Sequence, residues 1–408
     1  MGDFYQNGII TTLHNLADRP LEDIEGELLA FSRRRPMGLI LPSLYSELEG
    51  EALPHILEEL VEVPYLGEIV IGLDRADSDQ YRAALAFFSR LPQRHRVLWN
   101  DGPRLKALDK KLEDLDLAPR ELGKGRNVWY CMGYTLASGR AESVALHDCD
   151  ILTYDRSMLA RLIYPVANPQ FNYEFCKGYY ARIADGKING RVSRLLVTPL
   201  LRALKKMHGD MEYLEYMDSF RYPLAGEFSF RRDVLNDILI PSDWGLEIGV
   251  LSEMYRNYAN NRLCQVDIAE CYDHKHQDLS AHDDESGLSK MSIDIAKALF
   301  RKLATRGVTF DSETFRSLKA TYYRIALDFV ETYYNDAVMN GLSLDIHNEE
   351  KAVELFAENI MKAGEVFLAR PMERPFIPSW NRVISAIPDV LEQLLDAVES
   401  DHAEFAQA

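Results

Sequence analysis

Short apolar stretches alternate with helical patterns between residues 37 and 147, and this alternation limits the fold more than any other feature of the sequence. The apolar stretches are MGLILP (37–42), EIVIGLD (68–74), HRVLWN (95–100) and the segment 143–147. Amphipathic helical spacing separates or follows them, at 50–63, 78–91, 103–115 and 123–140. Strands that are apolar throughout and alternate with helices form parallel sheets with helices on both faces. We therefore predict an α/β fold, in which ligands bind beyond the carboxyl ends of the strands.

The rest of the chain predicts a mixed segment followed by a helical region. Strand patterns occur at 171–182, 223–232 and 261–277, and a helical pattern at 190–207 contains Pro199, which predicts a kink or break. From about 285 to 398 nearly all of the sequence has amphipathic helical spacing. We divide the chain into an N-terminal extension (1–36), an α/β half (37–150), a mixed half (151–284) and a helical C-terminal region (285–408).

Charge and cysteine content argue against several classes of protein. The 408 residues carry a formal net charge of −18, which disfavours binding of nucleic acid or of an anionic membrane surface. The 5 cysteines form no C-x-x-C pair, so neither a zinc knuckle nor a disulfide framework is indicated. The N-terminus lacks the pattern of a secretory signal, and no apolar stretch has the length of a membrane span. We expect a cytoplasmic protein that binds neither nucleic acid nor membrane.

Two aspartates follow the strand predicted at 143–147. Asp148 and Asp150 are separated by one residue, and alternate residues of an extended segment point to the same side. Both carboxylates could therefore meet one hard cation such as Mg²⁺ or Mn²⁺, which prefers oxygen ligands. A solvated turn explains the same pattern, because aspartate is common in turns.

Two glycine-containing stretches precede predicted helices, whose N-termini favour anions. In ELGKGRN, Lys124 lies between glycines that let backbone approach a phosphate. In INGRVSRLL, Gly190 and Ser193 begin a helix with Arg191 in its first turn, and arginine binds phosphate or carboxylate with two hydrogen bonds. A flexible turn, and surface arginines paired with acidic neighbours, are the structural alternatives.

Glutamates beside glycines and a pair of histidines complete the candidates. Glu227 in LAGEF and Glu247 in DWGLEIG lie where backbone approaches a partner closely, and could bind hydroxyl groups. A glutamate at a helix N-terminus explains Glu247 equally well. His274 and His276 follow a strand at alternate positions, and one could complete a metal site begun by the aspartates. Surface histidines are the alternative.

In this order, the motifs resemble a known family. From about residue 37 to 278 the chain is similar to the retaining GT-A glycosyltransferases that make glucosyl-3-phosphoglycerate, with the mannosyl-3-phosphoglycerate synthases as relatives. The resemblance rests on LILPSLYSE, LGKG, HDCDI, KGYYAR, GRVS, PLAGE, WGLEIG and HKH. It implies a GT-A (Rossmann-like) nucleotide-sugar-binding core with a mixed sheet, plus the helical C-terminal region. Residues 37–150 would bind the nucleotide sugar and 151–284 the acceptor.

The resemblance also implies roles for individual residues. The nucleotide sugar would contact Pro42, Ser43, Leu44, Glu47, Asp74, Lys124 and Asp148. Asp150 and His274 would hold Mg²⁺ or Mn²⁺ on the diphosphate. Gly190, Arg191 and Ser193 would bind the phosphate or carboxylate of the acceptor. Glu247, Glu227 and Asp148 are the implied catalytic residues, which position the transferred sugar and the acceptor.

The implied activity is transfer of glucose from UDP-glucose to the 2-hydroxyl of 3-phosphoglycerate with retention, by a metal-dependent homodimer. GDP-mannose as donor and free glycerate as acceptor remain open. A non-catalytic sugar-nucleotide-binding protein belongs to another class, and loss of a metal carboxylate would have favoured it. A nucleotidyltransferase also uses a glycine-lysine loop with carboxylates, but it would release pyrophosphate.

Overall fold

An 8-stranded mixed sheet forms the centre of the protein. The computed structural model describes residues 6, 8–17, 19–241, 245–274, 287–371 and 376–406. The strands are β1 (Thr11–Leu13), β2 (Met37–Leu44), β3 (Leu66–Asp74), β4 (His95–Trp99), β5 (Ser143–Leu146), β6 (Phe175–Tyr180), β7 (Ile183–Ala184), β8 (Lys187–Ile188), β9 (Phe228–Arg231), β10 (Ile240–Pro241), β11 (Leu263–Ala269) and β12 (Phe376–Ile377).

The helices of the core follow the predicted alternation closely. They are α1 (Leu21–Ser32), α2 (Ala52–Val61), α3 (Ser78–Phe88), α4 (Pro103–Glu113), α5 (Lys124–Ser138), α6 (Arg156–Ala167), α7 (Thr198–His208), α8 (Glu212–Asp218), α9 (Arg232–Asp237) and α10 (Leu246–Asn257). A π-helical turn, Val192–Val197, precedes α7, so the irregularity that Pro199 predicts lies just before that residue.

The order of the sheet is β1-β11-β6-β9-β5-β2-β3-β4. Among these strands β9 alone is antiparallel to its neighbours, β5 and β6, and the other pairs are parallel. The predicted α/β fold with a mixed sheet is confirmed. β1 belongs to the segment predicted as an N-terminal extension, and it pairs with β11, so this segment contributes the edge strand of the sheet.

Apolar residues cover both faces of the sheet, as continuous apolar strands require. One buried cluster joins the strands to α1, α2, α3 and α6, while the other joins them to α4, α5, α7 and the C-terminal helices. The interior side chains are close-packed; Gly133 of α5, for example, faces Trp380, and a Cβ there would lie 2.0 Å from the indole.

The C-terminal region is helical, as predicted. It comprises α11 (Gly287–Ala304), α12 (Ser312–Met339), α13 (Ile346–Ala369), α14 (Trp380–Ala386) and α15 (Val390–Phe405). α15 packs near the β4 edge, where Glu399 accepts hydrogen bonds from Arg94 at 2.9 Å and Arg96 at 2.8 Å. In the described parts of the chain, no helix is both long enough and apolar enough to cross a bilayer.

Candidate active site

The candidate site lies at the edge of the sheet where the parallel strands end. Leu146, the last residue of β5, pairs with Phe228, the first residue of antiparallel β9. The segment after β5 and the segment before β9 therefore meet at one edge, together with the ends of β6 and β11. This register brings Asp148, Asp150 and Glu227 together, and it follows from the reversed direction of β9.

Lys124, the first residue of α5, lies between two acidic side chains. Its Nζ is 2.6 Å from Asp148 Oδ1 and 3.4 Å from Glu247 Oε1, in the first turn of α10. Burial disfavours the charge on Lys124, but the attraction of Asp148 and Glu247 outweighs it and raises the pKa of the amine. Burial likewise opposes ionisation of Asp148, and Lys124 overcomes this and lowers the pKa of that carboxyl. Lys124 and Asp148 therefore form a charged pair.

Gly226 leaves the space that the Asp148 carboxylate occupies. A Cβ at Gly226 would lie 2.2 Å from Asp148 Oδ2. We expect Gly226→Ala to move that carboxylate away from Lys124 and to lower the catalytic rate about tenfold, since misplaced groups in an active site are costly. Steady-state kinetics and a melting curve check this. Gly26→Ala is the control, because a Cβ there meets nothing within 4 Å; wild-type kinetics for Gly226→Ala would refute the argument.

Asp150 and His274 face each other across an isolated β-bridge between Ile151 and His274. Asp150 Oδ2 is 3.9 Å from His274 Nδ1. Burial and then the repulsion of Asp148 raise the pKa of Asp150 to about 7. A second positive charge beside Asp150 would relieve both effects, so the residues present fit a divalent cation.

Protein ligands alone do not complete a metal shell within the described residues, where no group of three or more His, Cys, Asp or Glu could hold an ion. Mg²⁺ is commonly bound by one or two carboxylates together with substrate phosphates and water. The sequence pattern suggested that Asp148 and Asp150 both bind one cation. In the structure Asp148 is paired with Lys124, so the geometry favours Asp150 alone of the two as a metal ligand. His276 lies outside the described residues.

Arg182, after β6, fixes the state of His274. Its Nη1 donates to His274 Nε2 at 2.5 Å, which leaves the ring proton on Nδ1, the nitrogen that faces Asp150. For His274 to hold an ion through Nδ1, the ring proton would move to Nε2, and Nε2 would no longer accept the hydrogen bond from Arg182.

Glu227 is fully buried beneath these groups. Its two carboxylate oxygens accept hydrogen bonds from Tyr272 Oη at 2.6 Å and Tyr180 Oη at 2.8 Å. The two tyrosine rings stack 3.7 Å apart. Burial, followed by the repulsion of Asp148, raises the pKa of Glu227. In this arrangement Glu227 orients two tyrosines and presents no exposed surface to a sugar.

Lys177 of β6 supplies a second buried amine behind the acidic groups. It donates to the Ala225 carbonyl, and its ammonium lies 5.1 Å from the ring centre of Phe228. Burial lowers the pKa of Lys177 to about 8, although the charges of Glu247 and Glu227 oppose the shift. Lys177 is the first residue of the KGYYAR motif, but the sequence analysis gave it no role, because a lysine within an aromatic strand has no local signature.

The pKa of Lys177 predicts a pH dependence of stability. Above pH 8 the folded protein has released this proton, while the unfolded chain keeps it up to about pH 10.4, so stability rises with pH in that window. The measured quantity is the unfolding free energy of wild type minus that of Lys177→Met. We expect this difference to rise by up to about 3 kcal/mol from pH 8 to 10.5. Urea unfolding at several pH values measures it. A constant or falling difference would contradict the shift.

The residues assigned to the nucleotide lie at and after the ends of β2 and β3. Pro42 and Leu44 are half-buried and Ser43 is buried, and Glu47 lies in the 3₁₀ turn Tyr45–Glu49. Asp74, the last residue of β3, accepts a hydrogen bond from Asn100 at 2.8 Å, and burial raises its pKa. All of them occupy the same sheet edge as Asp148.

The residues assigned to the acceptor lie around the start of the π-helical turn: Gly190 and Arg191 precede it, and Ser193 belongs to it. Gly190 has a left-handed backbone with φ of 74°, and its position opposite Tyr222 Oη leaves little room for a side chain. The Oγ of Ser193 is buried without a hydrogen-bond partner in the described structure. Arg191 Nε donates to Glu349 Oε1 of α13 at 2.8 Å. This contact agrees in part with the structural alternative for this stretch, in which the arginines pair with acidic neighbours.

Comparison with known proteins adds relatives over the full chain. No protein-family model matches the chain. A glucosyl-3-phosphoglycerate synthase of Persephonella marina is 45% identical over 404 residues, covering 99% of this chain and 100% of the relative. A protein of the same name from Methanococcoides burtonii is 38% identical over 413 residues and covers 99% of both chains.

Solved structures show the same fold. Glucosyl-3-phosphoglycerate synthase of Mycobacterium tuberculosis in complex with Mg²⁺ and UDP has a TM-score of 0.53 and 20% identity, covering 74% of this chain and 89% of that one. The complex of that enzyme with Mn²⁺, UDP and phosphoglyceric acid has a TM-score of 0.52 and 21% identity, covering 72% and 86%. At these identities the likeness extends to the fold.

Proposed function

Because this chain belongs to the glucosyl-3-phosphoglycerate synthase family, we propose that it transfers glucose from UDP-glucose to the 2-hydroxyl of 3-phosphoglycerate with retention. One observation in the site carries the proposal. Asp150 and His274 face each other beside the Lys124–Asp148 pair, at the sheet edge where an α/β fold binds its ligands. This places groups suited to a cation, a phosphate and a sugar within one site.

The donor diphosphate requires positive charge in a site rich in carboxylates. Asp150 and His274 are the residues that would hold Mg²⁺ or Mn²⁺. When bound, the ion would act as a Lewis acid and stabilise the negative charge on the leaving diphosphate. Lys124 adds a fixed cation at the N-terminus of α5, where the helix dipole also favours phosphate. Asp148, held by Lys124, would accept hydrogen bonds from ribose and sugar hydroxyls.

Retention is best explained by substitution on one face of the sugar. The acceptor oxygen bonds to the anomeric carbon, the bond from that carbon to the diphosphate breaks, and a diphosphate oxygen takes the hydroxyl proton. Double displacement would need a carboxylate nucleophile. Glu227 is unsuited to that role, because it is fully buried and each of its oxygens accepts a hydrogen bond from a tyrosine hydroxyl. Glu247, which is held near Lys124, is the better candidate for positioning the sugar and the acceptor.

The acceptor would bind at Gly190, Arg191 and Ser193. Arg191 supplies a charged hydrogen-bond donor. The buried Ser193 hydroxyl has no hydrogen-bond partner in the described structure, and an oxygen of the acceptor could be that partner. The net charge of −18 makes such a local cation necessary for an anionic substrate.

Turnover across a grid of donors and acceptors tests the proposal. UDP-glucose, GDP-glucose and GDP-mannose would each be combined with 3-phosphoglycerate and free glycerate, and the released nucleoside diphosphate measured. We expect the fastest turnover for UDP-glucose with 3-phosphoglycerate. No turnover in any combination would refute the enzymatic function and favour a sugar-nucleotide-binding protein. A nucleotidyltransferase needs a nucleoside triphosphate and a sugar 1-phosphate, so release of pyrophosphate from UTP and glucose 1-phosphate in a separate assay would indicate that class instead.

We also propose a homodimer in the cytoplasm. Exposed apolar residues at the end of α12, among them Val338 (59%) and Met339 (88%), support a contact between copies of this chain. Light scattering at micromolar concentration measures the mass. A monomer at all concentrations would refute this part of the proposal without affecting the chemistry.

A further inference from the structure

A carboxylate from the C-terminal helical region reaches the acceptor residues. Glu349, in the first turn of α13, is 2% exposed and lies between Arg191, just before the π-helical turn, and Arg194 within it. Arg191 Nε is 2.8 Å from Glu349 Oε1, and Arg194 Nη2 is 2.8 Å from Glu349 Oε2. Burying a carboxylate so completely is unfavourable unless cations compensate it, and here two do so.

Arg194 belongs to the protein framework. Its Nε donates to the Asn189 carbonyl at 2.8 Å, its guanidinium lies 4.8 Å from the ring centre of Tyr333, and its side chain is 8% exposed. Arg194 is therefore fixed by the preceding loop, by α12 and by Glu349. It can hold the Glu349 carboxylate in place but offers little surface to a ligand.

Arg191 differs from Arg194 in its exposure. The Arg191 side chain is 29% exposed, and Glu349 accepts its Nε–H, so this contact does not use the two terminal amino groups. Two guanidinium groups against one carboxylate also leave one positive charge. The cluster thus retains both donors and charge for an anion.

The loop before Arg191 is also attached to the C-terminal region. Ser343, which precedes α13, donates its backbone N–H to the Gly186 carbonyl at 2.8 Å and forms a β-bridge with Lys187 of β8. The hairpin of β7 and β8 leads directly into Gly190 and Arg191. The C-terminal helices therefore hold both the loop and the arginine side chain.

We propose that Glu349 is a positioning residue for the acceptor: anchored by Arg194, it fixes the guanidinium of Arg191 in the orientation that binds the anionic group of 3-phosphoglycerate. This inference rests on the proposed function. It assigns to the helical C-terminal region a part in acceptor binding, through a residue that acts on Arg191 and does not touch the reacting atoms.

Steady-state kinetics of the full chain test the inference. In Glu349→Ala we expect KM for 3-phosphoglycerate to rise about tenfold or more, as loss of a charged hydrogen bond implies, while KM for UDP-glucose changes less than about twofold. Glu349→Gln keeps an oxygen that can accept the Arg191 Nε–H, so its acceptor KM should lie between wild type and Glu349→Ala. Glu350→Ala, the adjacent and exposed glutamate, should behave as wild type.

A double-mutant cycle identifies the route of the effect. If Glu349 acts through Arg191, adding Glu349→Ala to Arg191→Ala should raise the acceptor KM less than about twofold further. An unchanged or lower acceptor KM in both Glu349 variants would overturn the inference, as would equal rises for both substrates. If Glu349→Ala does not fold, Glu349→Gln decides. Wild-type protein without turnover would refute the proposed function itself, whereas wild-type turnover with an unaffected acceptor KM refutes the inference alone.

Discussion

Asp150→Asn is expected to abolish glucosyl transfer while leaving the fold intact. The substitution keeps the shape of the side chain but removes the anionic ligand, so we expect kcat/KM to fall about a hundredfold or more. Burial and the proximity of Asp148 raise the pKa of Asp150, so the ionised form is unfavourable in the metal-free protein. The neutral amide removes this cost, and the metal-free variant should melt at or above the wild-type temperature.

The melting curve separates loss of the ligand from loss of the fold. Mn²⁺ together with UDP should raise the melting temperature of wild type and not that of Asp150→Asn, because a ligand stabilises only the state that binds it. Asp114→Asn, at an exposed helix end, is the control for removal of one negative charge. Transfer by Asp150→Asn near the wild-type rate would contradict the assignment of the metal ligand.

Lys124→Met is expected to lower both activity and stability. Without the ammonium, Asp148 and Glu247 lose the cation that lies 2.6 Å and 3.4 Å from them, near the buried Glu227. We expect transfer to fall about a hundredfold. We expect unfolding free energy at pH 7 to fall by about 2 kcal/mol, less than for a fully buried pair because the site is partly open.

The pH dependence of this loss has a definite sign. Lys124 lowers the pKa of Asp148, so their interaction stabilises the protein above the ordinary aspartate pKa and is lost as pH falls through the lowered value. The stability difference between wild type and Lys124→Met should therefore shrink on acidification below about pH 4. Urea unfolding at pH 7 and at several values below pH 4 measures it, with the exposed Lys110→Met as the control. A difference that stays the same at pH 7 and throughout the range below pH 4 would rule out the electrostatic explanation.

Local sequence patterns predicted the parts of the site that follow single strands or begin single helices. Asp148 and Asp150 follow β5, and Lys124 begins α5, because the strand–helix alternation determines where each element ends. Parallel strands end at one edge, so their polar C-terminal residues gather there without any further information. The resemblance to the family added His274, which a pattern of alternating histidines alone would not select.

Contacts between distant parts of the chain could not be predicted in the same way. Glu349 and Arg191 are 158 residues apart, and nothing near either residue indicates the other. Arg182 and Tyr272 join the site because β6 and β11 are neighbours and β9 runs antiparallel beside β6, a topology that local periodicity does not encode. The surroundings of Glu227 likewise depend on two tyrosines, Tyr180 at the end of β6 and Tyr272 after β11, whose hydroxyls donate to its carboxylate.

The rate of UDP release from UDP-glucose and 3-phosphoglycerate, measured on exhaustively chelated protein before and after addition of Mn²⁺, addresses the central claim most directly. Asp150 and His274 contribute a carboxylate and an imidazole that suit a cation, and the donor brings two phosphates into an acidic site. We predict almost no release without metal and full restoration by Mn²⁺ in wild type, with no restoration in Asp150→Asn. An undiminished rate in metal-free protein would contradict the claim.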